Sequence, residues 1–371
     1  MAIRKGSVES LGIAPFSDIY RRRRVLLTGH TGFKGSWLAL WLTELGADVT
    51  GLSLAPPTSP NHWDLLGLRI REHRQDIRDA SAVAELLERA QPEIVFHLAA
   101  QSLVRRSYRN PLDTWSTNVL GTANLLDACR RTATVRAIVV VTSDKCYENR
   151  SSKRGYRETD RLGGHDPYSA SKAAAEVLAA SYRDAFFDSR GAPLLATARA
   201  GNVIGGGDWS EDRLVPDLVR AVAAGSNLEI RSPDAIRPWQ HVLESLAGYL
   251  LLGKVLFVGD RDCATAWNFG PAKRDSCTVV DVLASMKASW PKLRWRVSRE
   301  SQPHEAPWLS LDSTKARKKL GWRSVWSLDT SIRATADWYR RFLATGGTES
   351  RLQLQQYVAD AYRAHVVWSS L

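Results

Sequence analysis

Short apolar runs alternate with longer amphipathic stretches along the chain as far as about residue 205. Runs such as RVLLTG and EIVFHLAA are almost continuously apolar, which predicts strands buried on both faces. The stretches between such runs predict helices, and in one of them Trp37, Trp41 and Leu45 share a side. Alternating strands and helices predict an α/β protein with a Rossmann-type, doubly wound parallel sheet. Ligands of such sheets bind beyond the carboxyl ends of the strands.

The pattern also predicts the division of the chain into domains. Residues 112–131 and 167–187 predict two more long helices, and beyond about residue 205 the alternation becomes irregular. We therefore expect a smaller, interleaved C-terminal substrate lobe beside the sheet. The predicted boundaries are a leader over 1–22, a dinucleotide-binding domain over 23–204 with return segments near 238–270, a substrate-binding lobe over 205–237 and 271–345, and a C-terminal helical tail over 346–371.

Composition places the chain among ordinary globular proteins. Of its 371 residues, 44% are apolar and 24% charged, and no apolar run approaches the ~20 residues that cross a bilayer. The N-terminus lacks the compact apolar segment of a secretory signal, so we expect a cytoplasmic protein with no membrane partner. The four cysteines have no C-x-x-C spacing and no histidines at metal-ligand intervals, which favours reduced thiols and argues against a metal site.

The net charge of +12, from 51 basic and 39 acidic residues, favours an anionic partner. The basic residues are scattered, apart from the run Arg21–Arg24 and the cluster Lys315–Lys319. No zinc-finger, RRM or helix-turn-helix pattern accompanies them. We therefore expect a phosphorylated small molecule and no nucleic acid.

A glycine-rich turn follows the first predicted strand. In TGHTGFKGSW, Gly29, Gly32 and Gly35 lie between that strand and a helix, where glycines let a pyrophosphate approach the backbone and the helix N-terminus. The end of the second strand carries Ser53 and no carboxylate for the ribose hydroxyls of NAD. Lys34 in the turn is either solvated or a contact for a 2′-phosphate, so NAD is expected and NADP stays open. The predicted cofactor contacts are Gly29, Thr31, Gly32, Phe33, Lys34, Gly35, Asp76, Ile77, Ala99, Ala100, Tyr168 and Lys172.

A tyrosine and a lysine lie one helical turn apart in DPYSASK. Asp166 and Pro167 predict an N-cap and a first helical residue, which places Tyr168 in the first turn and Lys172 on the same face. The helix dipole and the ammonium both favour an anionic tyrosine, so its pKa is expected to fall from about 10 toward a value useful in a base. The alternative is a surface pair with no chemical role.

The strand that ends in VVVTSDK delivers three polar residues to the same edge of the sheet. Ser143 is a candidate hydrogen-bond partner for a substrate hydroxyl that Tyr168 deprotonates, Asp144 a candidate proton donor, and Lys145 a candidate acid or base. The alternative is a capped strand end followed by a solvated Asp–Lys pair.

These motifs, in the order glycine turn, HLAAQS, TSDK, YSASK and RAGNVIGGGDW, resemble the extended short-chain dehydrogenase/reductase family. Within it, GHTGFKGSWLALWL, TSDKCYENR, IRPWQHVLE and HEAPWLSLDSTKARKKLGW resemble the CDP-glucose 4,6-dehydratase branch. The resemblance covers residues from about 23 to about 345. It implies a nicotinamide cofactor that is reduced and reoxidised within one turnover. It also implies a homodimer or higher homo-oligomer, because members commonly pair through a four-helix interface.

The resemblance implies roles for the reacting residues. Tyr168, supported by Lys172 and Ser143, would deprotonate the C4 hydroxyl of glucose while hydride leaves C4. Asp144 would protonate the leaving C6 hydroxyl. In the dTDP-glucose enzymes a glutamate takes the C5 proton, whereas this chain has Lys145, as the CDP-glucose branch does, so the division of roles between Asp144 and Lys145 stays open.

The resemblance also implies substrate contacts. Asn202 and Arg237 look like ligands of the substrate pyrophosphate, with a structural ion pair as the alternative for Arg237. Gln101 and Arg105 are expected in the sugar pocket. The full set of predicted substrate contacts is Gln101, Arg105, Asn202, Arg237, Asn268 and His304.

Three other functions stay open at this point. A nucleotide-sugar 4-epimerase needs the Tyr–Lys pair but no acid and base for C5 and C6, so Asp144 and Lys145 argue against it. A 4,6-dehydratase for another nucleotide-hexose would use the same residues. A non-catalytic dinucleotide-sensing protein would have no need of Ser143, Asp144, Tyr168 and Lys172.

Overall fold

A seven-stranded parallel sheet forms the centre of the chain. The computed structural model describes residues 14–150, 154–230, 232–271, 276–298 and 309–369. Its strands are β1 Arg24–Thr28, β2 Asp48–Ser53, β3 Arg71–Arg74, β4 Ile94–His97, β5 Ala137–Val141, β6 Leu194–Ala200, β7 Val203–Ile204, β8 Leu228–Ile230, β9 Ile236–Pro238, β10 Gln240–His241, β11 Ala266–Phe269, β12 Ser276–Thr278 and β13 Trp295–Val297. The central sheet has the order β11-β6-β5-β4-β1-β2-β3, and three two-stranded sheets pair β10 with β7, β12 with β9 and β13 with β8.

Helices connect these strands and cover the sheet. They are α1 Phe33–Glu44, α2 His62–Leu66, α3 Ala80–Ala90, α4 Val104–Arg109, α5 Pro111–Trp115, α6 Gly121–Arg131, α7 Pro167–Phe186, α8 Leu214–Ala223, α9 Val242–Phe257, α10 Val279–Ser289, α11 Thr314–Leu320, α12 Leu328–Thr345 and α13 Ser350–Arg363. In the described residues, no helix combines the length and the apolar composition that a membrane span requires. The predicted fold class, a doubly wound parallel sheet, is confirmed.

The sheet is buried because its strands are apolar on both sides. All five residues of β5 are buried, and so are all seven of β6. One face packs against α1, α9 and α13, and the other against α3, α6 and α7. A second apolar core joins α8, α10 and α12 beside the sheet. The division of the chain into domains at the predicted boundaries stays a prediction.

Helix α1 differs from the one-sided helix that the pattern predicts. Residues 35–42 are all buried. The outer side is covered by the two ends of the described chain, where Phe16 stacks on Trp368 at 5.1 Å and Trp41 meets both rings edge-on. Sequence periodicity did not reveal this cover because its parts come from opposite ends of the chain.

The helix predicted over residues 112–131 contains an interruption. Residues Ser116–Leu120 between α5 and α6 form a π-helical turn. Such turns are rare and occur mostly as single turns at functional sites. This one lies against α7, the helix that carries Tyr168 and Lys172.

Candidate active site

A cavity of about 680 Å³ lies at the carboxyl ends of the central strands. It is where the doubly wound sheet predicts a ligand. The predicted residues that line it are Gly29, Thr31, Gly32, Phe33, Lys34, Gly35, Asp76, Ile77, Ala99, Ala100, Gln101, Arg105, Ser143, Asp144, Lys145, Tyr168, Lys172, Asn202 and Arg237. The structure therefore brings almost all of the predicted site residues together.

The glycine turn forms a close-fitting cradle. Gly29 has a φ of +77°, and a Cβ there would lie 2.7 Å from the backbone nitrogen of Ala99. A Cβ at Gly35 would overlap the carbonyl oxygen of Gly29, so only glycine lets α1 start this close to β1. Gly32, the N-cap of α1, has no side chain that could cap the N–H groups of the first turn. The residues present therefore fit a dinucleotide, whose pyrophosphate is the usual ligand of such a helix start.

The end of β2, which forms the far side of the cradle, is polar but carries no carboxylate. The hydroxyls of Thr31 and Ser53 are hydrogen-bonded at 2.7 Å. Asp76 accepts from the backbone nitrogen of Arg78 at 2.9 Å, and the Arg78 guanidinium lowers the pKa of that carboxyl. Both Asp76 and Ile77 line the cavity, where an adenine contact was predicted.

Tyr168 and Lys172 occupy the first two turns of α7. The helix begins as predicted, because Asp166 is its N-cap and accepts from the backbone nitrogen of Ser169 at 2.9 Å. Both reacting side chains are buried, and Lys172 Nζ donates to the carbonyl oxygen of Val141 at 3.3 Å. Burial lowers the pKa of Lys172 to about 8.

The expected fall in the pKa of Tyr168 is wrong. Burial raises the pKa of Tyr168 to about 12, although the Ser143 hydroxyl acts in the opposite direction. Desolvation of a phenolate outweighs its hydrogen bond when the ring is this well enclosed. The phenol therefore needs further stabilisation of its anion when it acts as a base.

Ser143, Asp144 and Lys145 lie in a tight turn directly after β5. The Ser143 hydroxyl donates to Asp144 Oδ1 at 3.0 Å and accepts from the backbone nitrogen of Lys145 at 3.2 Å. Asp144 is 2% exposed, and its Oδ2 has no hydrogen-bond partner among the described residues. Burial raises the pKa of Asp144, against the influence of Lys145, Ser143, Lys34 and Arg237. A carboxyl whose pKa is raised suits a proton donor.

A buried ion pair lies below Lys172, and sequence reasoning missed it. Glu176, one turn after Lys172, accepts from Arg199 at 2.7 Å and from the hydroxyls of Thr142 and Thr197. Burial alone would raise the pKa of Glu176, but Arg199 and the hydroxyls lower it, so the carboxylate stays charged beneath Lys172. The helical spacing from Lys172 was the available signal, although the partner arginine lies on β6.

Asn118 in the π-helical turn is a second support that sequence reasoning missed. Its side chain accepts from the backbone nitrogen of Gln101 at 2.8 Å and donates to the carbonyl oxygen of Gln101 and to the Ser171 hydroxyl, both at 2.9 Å. It thus joins the loop after β4 to α7. No short motif in the sequence indicates this contact.

The predicted substrate contacts are placed unevenly. Gln101 lines the cavity, but its amide is engaged by Leu103 and Thr114 at 2.6 to 3.0 Å. Arg105 forms an ion pair with Asp212 at 3.3 Å. Arg237 is buried, lines the cavity and donates to the carbonyl oxygen of its neighbour Ile236 at 3.0 Å.

The structure does not bring Asn268 to the cavity. Its amide accepts from the Tyr147 hydroxyl at 2.8 Å and donates to the carbonyl oxygens of Tyr156 and Asp312. The resemblance to the family implied Asn268 as a substrate contact, whereas in the structure its amide fastens two loops to β11. His304 lies outside the described residues.

Lys34 lies at the reaction end of the cavity. Its Nζ donates to the Tyr249 hydroxyl at 3.3 Å, and Asp144 and Lys172 are among the charges that act on its pKa. A 2′-phosphate contact would need this ammonium beside Ser53 instead. The structure therefore does not support the prediction that Lys34 favours NADP.

The fold and the site together define the class of protein: an extended short-chain dehydrogenase/reductase, with a glycine-turn cradle facing a Tyr–Lys pair across one cavity. The family model described as GDP-mannose 4,6 dehydratase matches residues 26–335. The chain therefore belongs to the GDP-mannose 4,6 dehydratase family.

Individual relatives agree with this assignment. The chain is 44% identical over 333 residues to CDP-glucose 4,6-dehydratase of Salmonella typhimurium, covering 88% of this chain and 93% of the relative. It is 28% identical over 342 residues to a probable dTDP-glucose 4,6-dehydratase of Sinorhizobium fredii, covering 85% and 92%. The structure of UDP-glucose 4-epimerase from Brucella ovis in complex with NAD superposes with a TM-score of 0.73 at 25% identity, covering 85% and 98%.

Proposed function

We propose that the chain is an NAD-dependent hydro-lyase that removes water from CDP-D-glucose and yields CDP-4-keto-6-deoxy-D-glucose. The observation that carries this proposal is that Tyr168 and Lys172 share one cavity with a buried Asp144, whose pKa is raised by burial. That set serves both an oxidation and an elimination. The 44% identity to a CDP-glucose 4,6-dehydratase supports the choice of nucleotide.

NAD is the cofactor that the cradle fits. The first turn of α1 and residues Gly29 and Gly35 would hold its pyrophosphate, and Asp76 and Ile77 its adenine. When bound, NAD would supply the hydride acceptor for oxidation at C4 and, once reduced, the hydride donor for reduction at C6. The epimerase from Brucella ovis, which was solved with NAD, supports this choice.

Tyr168 accepts the proton of the C4 hydroxyl. Ser143 holds the same hydroxyl and lowers the cost of the phenolate, since its hydrogen bond opposes the rise in the pKa of Tyr168. Lys172 is held by the Val141 carbonyl one turn from Tyr168, so its positive charge stays near the forming anion. The 4-ketone that results makes the C5 proton acidic.

Asp144 and Lys145 carry out the loss of water. The C5 proton passes to Lys145, and the electron pair of the C5–H bond forms a double bond between C5 and C6. The C6–O bond breaks, and the proton of Asp144 completes the leaving water. When hydride is added at C6, Lys145 gives its proton back to C5, which completes the 4-keto-6-deoxy product. Asp144 and Lys145 are adjacent in one 3-10 turn, and both line the cavity.

Asn202 and Arg237 are the proposed ligands of the substrate diphosphate. Both line the cavity on the side of the second apolar core. A guanidinium donates to phosphate through a planar fork, which gives orientation as well as charge. This contact would fix the hexose relative to Tyr168.

A substrate panel tests the function. The purified protein is incubated with NAD and with CDP-glucose, dTDP-glucose, UDP-glucose or GDP-mannose, and the products are read by mass. We expect the loss of one water from CDP-glucose. An unchanged mass with inverted C4 would show an epimerase, and loss of water from another nucleotide-hexose alone would overturn the substrate. No change with any of them would favour a sensing protein.

We also propose that the protein forms a homodimer through α5, the π-helical turn and α7. These elements pack side by side and leave Leu112, Leu120 and Val177 82%, 60% and 58% exposed. Large apolar side chains grouped on adjacent helices favour a second copy as partner. Light scattering should show a dimer that Leu120→Glu dissociates and that Val367→Glu, at an exposed site on another surface, leaves intact. A monomeric wild type would refute this.

The proposed location is the cytoplasm. All four cysteines are free thiols, and Cys129, Cys146 and Cys263 are buried. Unpaired thiols suit a reducing compartment. Cell fractionation that recovers the protein outside the cytoplasm would contradict this location.

A further inference from the structure

Lys34 carries a positive charge where the local structure disfavours one. It is the second residue of α1, so the positive end of the helix dipole opposes its ammonium. Burial lowers its pKa to about 8, Arg213 and Lys172 act in the same direction, and Asp144 opposes them. A residue that its local structure disfavours in several ways is typical of a functional position.

The ammonium is held in a defined place. Lys34 Nζ donates to the Tyr249 hydroxyl at 3.3 Å and lies 5.8 Å from the centre of the Tyr249 ring. Tyr249 is fully buried on α9, and burial raises its pKa, so it stays a neutral acceptor. An ammonium has three donors, and this contact uses one of them. Lys34 also lines the cavity, so its charge reaches the reacting groups.

Asp144 is the acidic side chain among the charges that act on Lys34, and both residues line the cavity. Its Oδ1 accepts from Ser143, and its Oδ2 is buried with no hydrogen-bond partner in the described part of the chain. The cations that act on it are Lys145, Lys34 and Arg237. The proposed mechanism uses Lys145 as a base and Arg237 at the diphosphate, which leaves Lys34 without a role.

We propose that Lys34 is a positioning residue for the dehydration step, whose ammonium stabilises the carboxylate that Asp144 becomes when it protonates the leaving C6 oxygen. This inference rests on the proposed function. Negative charge develops on Asp144 only as the C6–O bond breaks. A fixed ammonium therefore interacts more strongly with the transition state than with the ground state, and that difference accelerates the step.

A double-mutant cycle tests this role. Lys34→Met should slow water loss by about 10- to 100-fold, the equivalent of one to two pKa units of carboxylate stabilisation. Oxidation at C4, followed by the absorbance of the reduced nicotinamide, should change little, and so should KM. In the Asp144→Asn background, where no carboxylate forms, Lys34→Met should have less than about a threefold further effect. Lys34→Arg, which keeps the charge, should retain most of the rate.

The pH profile separates this role from a general structural one. The rate of water loss should fall at alkaline pH as Asp144 loses its proton. This alkaline limb of the pH–rate profile should be absent in Asp144→Asn. Lys34→Met should move that limb to higher pH, since a cation that favours the carboxylate has been removed. Tyr249→Phe removes the hydrogen bond that holds the Lys34 ammonium but leaves the charge in place. This variant should move the limb in the same direction by a smaller amount.

Lys315 offers a matched control. Burial lowers its pKa to about 8 as well, but its Nζ lies over the Trp267 ring at 4.3 Å and donates to the carbonyl oxygen of Ala266, outside the cavity. Lys315→Met removes a half-buried ammonium without touching the site. We expect it to leave both the rate of water loss and the alkaline limb unchanged.

The outcomes are distinct. A Lys34→Met effect of equal size in the Asp144→Asn background would show that Lys34 acts elsewhere and would overturn the inference. An unmoved limb in Tyr249→Phe would do the same, even if Lys34→Met does not fold. A wild type that removes no water from CDP-glucose would instead refute the proposed function.

Discussion

Glu176→Gln should be among the most damaging isosteric changes outside the cavity. The variant keeps the shape of the side chain but removes the charge that pairs with Arg199 at 2.7 Å. The two side chains are 2% and 4% exposed, so the guanidinium would be left charged and buried. Breaking a buried pair from one side typically costs about 3–5 kcal/mol. For a chain of this size, that corresponds to a fall in Tm of about 5 °C.

The pH dependence of stability provides an independent reading of the same pair. Because the folded state lowers the pKa of Glu176 below 4.5, its contribution is fully present above the ordinary pKa and is lost as the pH falls through the lower value. Glu176→Gln should therefore lose stability at neutral pH and show a shallower decline in acid. The variant should also lower the pKa of Lys172 further, since Glu176 is the neighbour that opposes burial there.

Thermal unfolding between pH 3 and pH 8 measures the loss of stability at neutral pH and the shallower decline in acid. Asp127→Asn is the control, because it breaks the solvent-exposed pairs of Asp127 with Arg130 and Arg131, and such pairs contribute less than about 1 kcal/mol. If Glu176→Gln lowers Tm no more than this control does, the ion pair is not the support for Lys172 that the geometry indicates.

Three further predictions concern the cavity. Gly35→Ala should lower the affinity for NAD by at least tenfold, measured by calorimetry, because its Cβ would overlap the Gly29 carbonyl and push α1 away from the cradle. Asp144→Asn should slow water loss by about 100- to 10,000-fold while C4 oxidation continues, and an unchanged rate of water loss would remove Asp144 from its role. Asn118→Leu should raise the amide exchange of Gln101 and its neighbours, because it removes three hydrogen bonds that join this loop to α7; unchanged protection would contradict that link.

The sequence predicted what is local. The strands, the glycine turn and the start of α7 depend on neighbouring residues, so periodicity and capping residues are sufficient to find them. Ser143 and Tyr168 come together because each lies at a carboxyl-end position of the same parallel sheet, and the sheet topology brings these ends to one edge. That is why a linear pattern predicted most of the cavity wall.

What the sequence did not predict depends on contacts between distant segments. Glu176 needs Arg199 from the next strand, and Asn118 needs a π-helical turn that no propensity indicates. The sequence also predicted the wrong direction for the pKa shift of Tyr168. Burial of the ring outweighs the effect of a charge that was inferred from spacing alone. Asn268 failed for a related reason: a polar residue in a strand can hold loops as readily as a ligand.

The charges around the cavity explain why such supports are needed. Lys34, Lys145, Lys172 and Arg237 line it together with the buried Asp144. Burial in this poorly solvated space lowers the pKa values of both Lys34 and Lys172, and at Lys34 the neighbouring Arg213 and Lys172 act in the same direction. A nucleotide diphosphate brings negative charge into the same space, so its binding relieves repulsion as well as adding contacts. The cations in the cavity therefore suit a diphosphate-bearing ligand, and the buried Glu176–Arg199 pair supports α7, the helix that carries Tyr168 and Lys172.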